Sequence, residues 1–560
     1  MFSMQSKISS RNASAKANQW RKPFDMALKL LFVLFAICTA NVGSVVRVAA
    51  APNSVTQNGP VKGIAAPGID EFLGIPYAAP PVGNLRWRPP QPHANWQGVL
   101  DATHLGNFCI EPDGAGGTSG SEDCLFLNVY RPSQNEDSQG ENENGDGLPV
   151  MVWIHGDGTD GGFNDPTALV KKRVVVVTIN YRFHVLGFFA HPAVDAEGHL
   201  NANYGLMDQQ FALKWVKRNI GAFGGDPKRV TMFGESGGGI SVYSNLASPT
   251  AAGLFQRVIS QSGAGAQFQD YFNLIVPLAT AETAGSAFAA SVGCSGQTAQ
   301  TGTCLRALSA STLILADKNP NEVDPVVDGT VLSQTPGSAF ASGQFNRVPV
   351  ISGSNHDEFR LFLAFQFDYS GNPLTDPDYV TAVANFFGTS QSDPFVQFLV
   401  NVAYPLSNYP PPAGVMSAPL AFGALTTDFV NACPTLNANR LLSRYVPTYA
   451  YQFNDENAPL DFGLQPASFP LGAYHGAEIQ YLEPPAPAGA FTVAQEQLSD
   501  MMMRYWTKFA KTGNPNSTGS PLWSSFSATT NEFQSLVPPT PVVESDFDTS
   551  HQCSSLWNTF

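Results

Sequence analysis

The sequence contains little charge, and positive charge is the scarcer sign. Charged residues make up 13% of the 560 residues, and this low share, with 50 Gly and 43 Pro, favours a compact, loop-rich enzyme over a coiled coil. The first 50 residues hold seven of the 30 Lys and Arg but one of the 45 Asp and Glu, so the rest of the chain has a net charge of −21. Because nucleic-acid binding needs a basic face, we expect no nucleic-acid partner.

Long apolar runs are scarce as well. The one clear run is "LLFVLFAICTA" (residues 30–40), which follows basic residues from Lys7 to Lys29. This run matches the apolar core of a signal peptide better than a membrane span of about 20 residues. We therefore predict a signal peptide over residues 1–50, cleaved near Ala50, and a secreted protein. Because the basic region is long, an uncleaved signal anchor and a type II membrane-anchored protein are the alternative.

No CxxC pair occurs, so the sequence supports no cysteine metal site and we expect no metal. Beyond residue 50 the cysteines are Cys109, Cys124, Cys294, Cys304, Cys433 and Cys553. An even number in an exported chain predicts disulfides, for which fifteen connectivities are possible. The first two lie close together in the chain, as do the next two, which indicates two local loops and leaves the last two for a long-range link. The sequon at Asn516 fits a surface loop of an exported glycoprotein.

Apolar runs alternate with helical patterns from about Val150 onward. Continuous β-branched runs separated by helices are typical of a parallel sheet with helices on both faces. One helical pattern places Phe211, Trp215 and Ile220 on a core-facing side. No change in composition divides the mature chain, so we predict a single α/β domain over residues 51–560. The segments that carry this pattern are "VMVWI", "VVVVTI", "DQQFALKWVKRNI" and "RVTMF".

The stretch "RVTMFGESGGGISVYSNLAS" has the pattern of a strand, a glycine-rich turn and a helix. In G-x-S-x-G the serine occupies a turn too tight for flanking side chains, so its hydroxyl projects and the next N–H points towards a developing oxyanion. Residues Gly234–Gly238 match this pattern, and the strand–turn–helix context is the one that the motif requires. We predict that Ser236 is a nucleophile.

A nucleophilic serine needs an acid and a histidine base. In proteins that carry the serine on this strand–turn–helix motif, the three residues occur along the chain in the order Ser, acid, His. The downstream histidines are His356, His475 and His551. His475 is favoured because its small neighbours free the imidazole, whereas His551 near the chain end is expected at the surface. His356 follows a strand in a loop with Asp357 and Glu358, which is a suitable place for the acid. The residues alone do not separate these two carboxylates.

Six stretches carry a resemblance to a known family: "GIPYAAPPVGNLRW", "SEDCLFLNVYRP", "NYGLMDQQFALKWVKRNIGAFGGDPKRVTMFGESGGG", "SNHDEF", "YHGAEIQYL" and "YWTKFAKTGNPN". The chain resembles the type-B carboxylesterases, which include cholinesterases, fungal lipases and the adhesion protein neuroligin. The resemblance covers nearly everything after residue 60, and the second and third stretches are highly specific. It implies an α/β-hydrolase fold, with a mostly parallel central sheet and helices on both faces.

The resemblance also assigns roles to individual residues. It implies that Ser236 is the nucleophile, Glu358 the acid and His475 the base. It further implies three disulfides and two structural ion pairs, namely Cys109–Cys124, Cys294–Cys304, Cys433–Cys553, Arg86–Glu122 and Arg182–Asp208.

Two positions depart from the family's pattern. The family usually has Gly after its "DE", where this chain has Phe359, and it has HGGG or a similar turn where this chain has "HGDG" from His155. The resemblance implies an oxyanion hole formed by the backbone N–H groups of Asp157, Gly158 and Gly237. Backbone donors need no particular side chain, and Asp adopts the left-handed region more readily than most residues. We expect the Asp157 carboxylate to point away from the site.

The implied reaction is ester hydrolysis through an acyl-enzyme, with no cofactor. The alternative from another class is a catalytically impaired binding or adhesion protein, but such relatives usually lose the serine or the histidine, and this chain keeps both. Family lipases enlarge the loop between Cys109 and Cys124 into an amphipathic lid, and cholinesterases place a Trp there. This chain has "IEPDGAGGTSGSED", without an aromatic residue. We therefore predict activity on soluble short-chain esters, with a lipase or sterol esterase as the alternative.

Overall fold

The computed structural model describes residues 51–133, 147–156, 165–263, 275–318, 323–460, 464–484 and 491–557. The predicted signal peptide or anchor, residues 1–50, lies outside the described residues. Within these ranges, no helix is both long and apolar enough to cross a membrane.

A large central sheet organises the chain. Its strands, labelled in chain order, are β1 Ile64–Ala66, β2 Ile69–Pro76, β3 Phe126–Pro132, β4 Leu148–Ile154, β5 Val175–Ile179, β6 Gly225–Glu235, β7 Arg257–Gln261, β8 Val350–Asn355, β9 Thr448–Phe453, β10 Phe533–Leu536 and β11 Val542–Glu544. The order across the sheet is β11-β10-β9-β8-β7-β6-β4-β5-β3-β2-β1. Strands β4 to β10 run parallel to one another, and antiparallel strands complete both edges. The predicted mostly parallel sheet is confirmed.

Alternate residues of the central strands pack on opposite faces of the sheet. In β4, Val150, Val152 and Ile154 belong to one core cluster, whereas Met151 and Trp153 belong to the other. All of these side chains are buried. Because neither face meets water, the strand is apolar along its whole length rather than in alternation, which explains the continuous runs in the sequence.

Helices supply the other side of both clusters. Helix α4 adds Leu213 and Val216 to the cluster of Val150, and helix α16 adds Met502 and Trp506 to the cluster of Met151. In chain order the helices of the described residues are α1 Thr167–Val170, α2 His184–Gly187, α3 Pro192–Asp195, α4 Tyr204–Asn219, α5 Gly237–Ala247, α6 Leu278–Ser291, α7 Ala299–Ala307, α8 Ala310–Ala316, α9 Pro336–Ser342, α10 Glu358–Leu363, α11 Tyr379–Phe386, α12 Pro394–Phe398, α13 Ala418–Thr427, α14 Cys433–Leu442, α15 Ile479–Leu482, α16 Val493–Thr512 and α17 Phe547–Ser550.

Helix α4 differs from the prediction at one position. Trp215 and Ile220 are buried as expected, but Phe211 is only partly buried. The guanidinium of Arg218 lies 5.9 Å from the centroid of the Phe211 ring. Phe211 therefore lies at the margin of the buried face, where an amphipathic cationic side chain covers it.

Disulfides and short strands fix the loops around the sheet. The structure contains disulfides between Cys109 and Cys124, Cys294 and Cys304, and Cys433 and Cys553. It pairs Arg86 Nη2 with Glu122 Oε2 at 2.6 Å and Arg182 Nε with Asp208 Oδ2 at 2.7 Å. These disulfides and ion pairs join the residues that the resemblance implies. The short strands are Asn53–Thr56, Gly59–Lys62, Leu100–Asp101, Glu111–Pro112, Thr118–Ser119, Phe188–Phe189, Ala202–Asn203, Val276–Pro277 and Val326–Val327.

Candidate active site

Ser236 occupies a sharp turn between β6 and α5. Strand β6 ends at Glu235 and helix α5 begins at Gly237, and the Ser236 backbone has φ 55° and ψ −122°. Residues other than glycine rarely adopt this strained conformation, which is typical of a nucleophilic serine at the top of a sheet. The Ser236 N–H donates to the Gln261 carbonyl on β7 at 3.0 Å, which holds the turn against the neighbouring strand.

Close backbone packing explains the glycines around Ser236. A Cβ on Gly234 would lie 2.5 Å from the Ile154 carbonyl oxygen, and a Cβ on Gly238 would lie 2.0 Å from it. A Cβ on Gly156 would lie 2.6 Å from the Glu235 carbonyl oxygen. The end of β4 and the serine turn thus touch backbone to backbone, and a side chain at any of these positions would push them apart.

His475 is held by Glu358. Glu358 begins α10, three residues after the end of β8, and His475 lies between β9 and α15. The Nδ1 atom of His475 lies 2.5 Å from Oε2 of Glu358, which is fully buried. A carboxylate on Nδ1 fixes the orientation of the imidazole and leaves Nε2 free to accept a proton.

The Nε2 side of the imidazole faces the turn that carries Ser236. His475 Nε2 lies 3.2 Å from Oε1 of Glu235, the residue immediately before Ser236. Burial alone would lower the pKa of His475. The carboxylates of Glu235, Glu358 and Glu478 outweigh burial and raise this pKa above the ordinary value of 6.5. Glu235 could not be singled out from the sequence, because it occupies a variable position of G-x-S-x-G where the motif asks for no particular residue.

Asn355 connects the acid with the segment of the base. Its backbone N–H donates to Glu358 Oε1 at 2.8 Å, and its Nδ2 donates to the Tyr474 carbonyl at 2.8 Å and to Glu478 Oε2 at 2.6 Å. Burial, and then the charge of Glu358, raise the pKa of Glu478. No motif predicted a role for Asn355 or Glu478, although both lie in stretches that carry the family resemblance, "SNHDEF" and "YHGAEIQYL".

The glycine-containing turn after β4 is described as far as Gly156. The buried His155 donates through Nδ1 to the Gly156 carbonyl at 2.8 Å. Burial lowers the pKa of His155 to about 4, so the ring is neutral at neutral pH. Of the three predicted oxyanion donors, Gly237 is the first residue of α5. Asp157 and Gly158, with the expected orientation of the Asp157 carboxylate, lie outside the described residues.

The two other downstream histidines pair with carboxylates of their own. His356 Nδ1 lies 3.0 Å from Asp357 Oδ1, and His551 Nδ1 lies 2.5 Å from Asp428 Oδ1. The expectation that His551 lies at the surface was wrong, because it is 4% exposed. Its ring packs on Phe547 with 4.5 Å between centroids, and Asp428 satisfies its polar edge, so the ring can be buried despite lying near the chain end.

These residues have the chemistry of nucleophilic acyl transfer. A serine on a strained turn, an imidazole beside that turn and a buried carboxylate on the far ring nitrogen are the parts such a reaction needs. Among the described residues, no group of three or more His, Cys, Asp or Glu side chains could hold a metal ion.

Comparison with known proteins gives a consistent result. A family model described as "Carboxylesterase family" matches residues 50–554. The chain is 34% identical to an acylcarnitine hydrolase of Mus musculus over 480 residues, which cover 81% of each chain. It is 33% identical to a cocaine esterase of Homo sapiens over 495 residues, which cover 83% of each. A solved PNB esterase structure superposes with a TM-score of 0.70 at 30% identity, covering 90% of this chain and 99% of the other. These likenesses confirm the predicted α/β-hydrolase fold.

Proposed function

Because this chain belongs to the carboxylesterase family and is a carboxylesterase, we propose that Ser236 is its nucleophile, His475 its general base and Glu358 its acid. The observation that carries the proposal is the position of His475. Its Nδ1 lies 2.5 Å from a buried carboxylate, and its Nε2 lies 3.2 Å from the residue that precedes Ser236.

In the proposed reaction, the Ser236 hydroxyl attacks the ester carbonyl while His475 Nε2 accepts its proton. The alcohol leaves with that proton, and an acyl-enzyme remains. Water then attacks the acyl group, again through His475, and the carboxylic acid is released. Glu358 orients the imidazole and stabilises the imidazolium. The Gly237 N–H, together with those of Asp157 and Gly158, would bind the oxyanion.

We propose soluble short-chain esters as the substrates. Support comes from the loop between Cys109 and Cys124, which pairs Glu111–Pro112 with Thr118–Ser119 as a hairpin. Asp113 Oδ1 accepts the N–H groups of Ala115 and Gly117 at 2.8 Å each, which closes the hairpin tip. A short hairpin held by its own hydrogen bonds cannot cover the site as a large amphipathic lid would.

We also propose that the protein is exported and oxidised. Three disulfides favour an oxidising compartment. Terminal sequencing of the secreted protein should find an N-terminus near residue 51, and mass spectrometry without reduction should find no free thiol. A membrane-bound product that retains residues 1–50 would instead establish the signal anchor.

Titration with a phosphonylating serine reagent tests the proposed nucleophile. We expect one adduct per chain, located on Ser236 by peptide mass spectrometry, with loss of ester hydrolysis in step with modification. The Ser236→Ala variant should form no adduct and have no activity. A folded wild-type protein that forms no stoichiometric adduct would overturn the proposal in favour of an impaired binding protein.

A further inference from the structure

Asp357 joins the segment of the acid to the segment of the base. It is 4% exposed and directly precedes Glu358. Its N–H donates to the Ala473 carbonyl at 3.0 Å, and its Oδ2 accepts the Ala473 N–H at 3.0 Å. These two bonds use both backbone polar groups of Ala473, which lies two positions before His475. The acid and the base thus lie on segments that Asp357 binds together.

Gly472 makes this close approach possible. Its φ is +65°, and a Cβ added there would lie 2.1 Å from Asp357 Oδ2. Any other residue would displace the carboxylate or the segment. The close approach of the Asp357 carboxylate to this segment therefore requires glycine at position 472.

Two cations keep the Asp357 carboxylate ionised. Arg360 Nη2 lies 2.9 Å from Asp357 Oδ1, and His356 Nδ1 lies 3.0 Å from the same atom. Burial would raise the pKa of Asp357, but these cations and the Ala473 N–H hold it at about 2. The carboxylate thus remains a charged acceptor throughout the pH range in which a serine esterase works. Arg360 also donates through Nη1 to the Pro470 carbonyl at 3.4 Å, on the same segment as His475.

We propose that Asp357 is a positioning residue, which fixes the backbone of Gly472–His475 relative to Glu358 and so aligns His475 with Ser236. The inference rests on the proposed function, because it concerns the same serine, histidine and glutamate. Asp357 is buried, and its carboxylate contacts His356, Arg360 and the Ala473 N–H. Its carboxylate acts through the backbone of Ala473, whereas Glu358 acts directly on the imidazole.

A positioning role predicts a particular kinetic change. Because the Asp357 side chain is buried, we expect it to contribute little to substrate binding, so its loss should leave KM nearly unchanged. Misalignment of His475 slows both proton transfers, so kcat should fall. A role in folding alone would instead lower the fraction of active molecules and leave the turnover of each active molecule intact.

The test compares Asp357→Ala and Asp357→Asn with Asp368→Asn. Asp368 is the control, because its carboxylate also accepts a backbone N–H upstream of His475, that of Ser468, together with the Ser468 hydroxyl. Active sites are counted with a phosphonylating serine reagent, and kcat and KM are measured with p-nitrophenyl butyrate. We expect kcat per titrated site to fall at least tenfold in Asp357→Ala and less in Asp357→Asn, which keeps one oxygen acceptor. KM should change less than twofold, and Asp368→Asn should keep kcat within twofold.

Gly472→Ala provides an independent test. In the wild-type background the new methyl group collides with Asp357 Oδ2, whereas in Asp357→Ala that collision is absent. The strain from the positive φ is the same in both backgrounds. We expect Gly472→Ala to lower kcat per titrated site at least fivefold more in the wild-type background than in Asp357→Ala.

Two outcomes would overturn these proposals, and they are distinguishable. If Asp357→Ala or, where that variant does not fold, Asp357→Asn keeps wild-type kcat per titrated site, the positioning role fails while the proposed function stands. If wild-type protein neither hydrolyses the ester nor reacts with the reagent, the proposed function fails and the positioning role fails with it.

Discussion

At the scale of single residues, three carboxylates act on the pKa of His475. Glu358 holds Nδ1, Glu235 lies 3.2 Å from Nε2, and Glu478 adds a more distant negative charge. Negative charge around an imidazole stabilises its protonated form, which helps the step in which the base accepts a proton. The same charge lowers the fraction of neutral base at a given pH. If His475 is the base, as we propose, substrate turnover should therefore depend on pH through its imidazole.

Glu235→Gln should shift the pH profile to lower pH. In the proposed mechanism only neutral His475 can accept the Ser236 proton, so kcat/KM should fall as the pH drops through the pKa of His475, which the carboxylates raise. Removing one nearby negative charge should lower the pKa of His475 by about 1 to 3 units. The acid limb of the kcat/KM profile should move to lower pH by the same amount. The measurement is kcat/KM from pH 5 to 10 for both proteins.

Glu496→Gln is the control for this comparison, because Glu496 is exposed on the first turn of α16. Its acid limb should coincide with that of the wild-type protein. A Glu235→Gln limb at the wild-type pH, or above it, would contradict the effect of Glu235 on His475.

The residues proposed for chemistry could be predicted from the sequence, but the contacts around them could not. Ser236 could be predicted because its strained turn requires glycines on both sides, and glycines are visible in a sequence. The approach of Glu235 to His475 could not be predicted, because it depends on a segment about 240 residues further along the chain. The residues alone also left Asp357 and Glu358 equivalent. The structure distinguishes their contacts, since one binds a backbone and the other an imidazole.

At the scale of elements, the hairpin between Cys109 and Cys124 bears on substrate choice. Thr118 Oγ1 lies 2.7 Å from Ser311 Oγ on α8, which ties the hairpin to the body of the protein. Interfacial activation requires an apolar lid that swings open at a lipid surface. A tethered hairpin with glycines at its tip offers neither the motion nor the apolar area.

We therefore expect no interfacial activation. The initial rate on tributyrin, followed by alkali titration, should rise smoothly and level off as the substrate passes its solubility limit. Triacetin, which stays dissolved over the same range, provides the control curve. A sharp increase in rate on emulsified tributyrin alone would show instead that the protein is a lipase.

The sequon asparagine, Asn516, lies in the loop after α16, and its side-chain amide forms hydrogen bonds within that loop. Asn516 Oδ1 accepts the Trp523 N–H at 2.7 Å, and Nδ2 donates to the Trp523 carbonyl at 2.9 Å and to Asn514 Oδ1 at 2.8 Å. Trp523 itself is 2% exposed. The amide thus pairs with the backbone of a buried residue as a neighbouring strand would.

Asn516→Asp should destabilise the protein, whereas Thr518→Ala should not. Both substitutions destroy the sequon, but only the first removes the two Nδ2 donors, at a cost of about 1–3 kcal/mol in the free energy of unfolding. Urea denaturation of the two variants and the wild-type protein makes the comparison. Equal destabilisation by both would mean that a glycan, and not the amide, provides the stability.

Fully buried elements could be predicted from the sequence, whereas the edges of partly buried ones could not. The central strands could be predicted, because burial on both faces leaves uninterrupted apolar runs. The exposure of Phe211 could not, because it depends on where Arg218 lies across the margin of the helix. Periodicity finds the apolar side of a helix but not its edges.

At the scale of the whole molecule, the disulfides differ in how much chain they enclose. Cys294–Cys304 spans 10 residues and Cys109–Cys124 spans 15, whereas Cys433–Cys553 spans 120. The long loop contains β9, β10, β11, α15, α16 and His475. This one bond therefore links the start of α14 to the C-terminal part of the chain and restricts everything between them in the unfolded state.

Loss of Cys433–Cys553 should destabilise the protein more than loss of Cys294–Cys304. A cross-link stabilises mainly by lowering the entropy of the unfolded chain, by about 5 kcal/mol for the long loop and about 3 kcal/mol for the short one. We therefore expect the Cys433→Ala/Cys553→Ala variant to unfold with a free energy about 2 kcal/mol lower than Cys294→Ala/Cys304→Ala, as measured by urea denaturation. Each variant carries two alanines in place of one disulfide, so the pair is matched in chemistry and differs in loop length. If the short-loop variant were the less stable of the two, native packing around the sulfurs, and not chain entropy, would determine what each disulfide contributes.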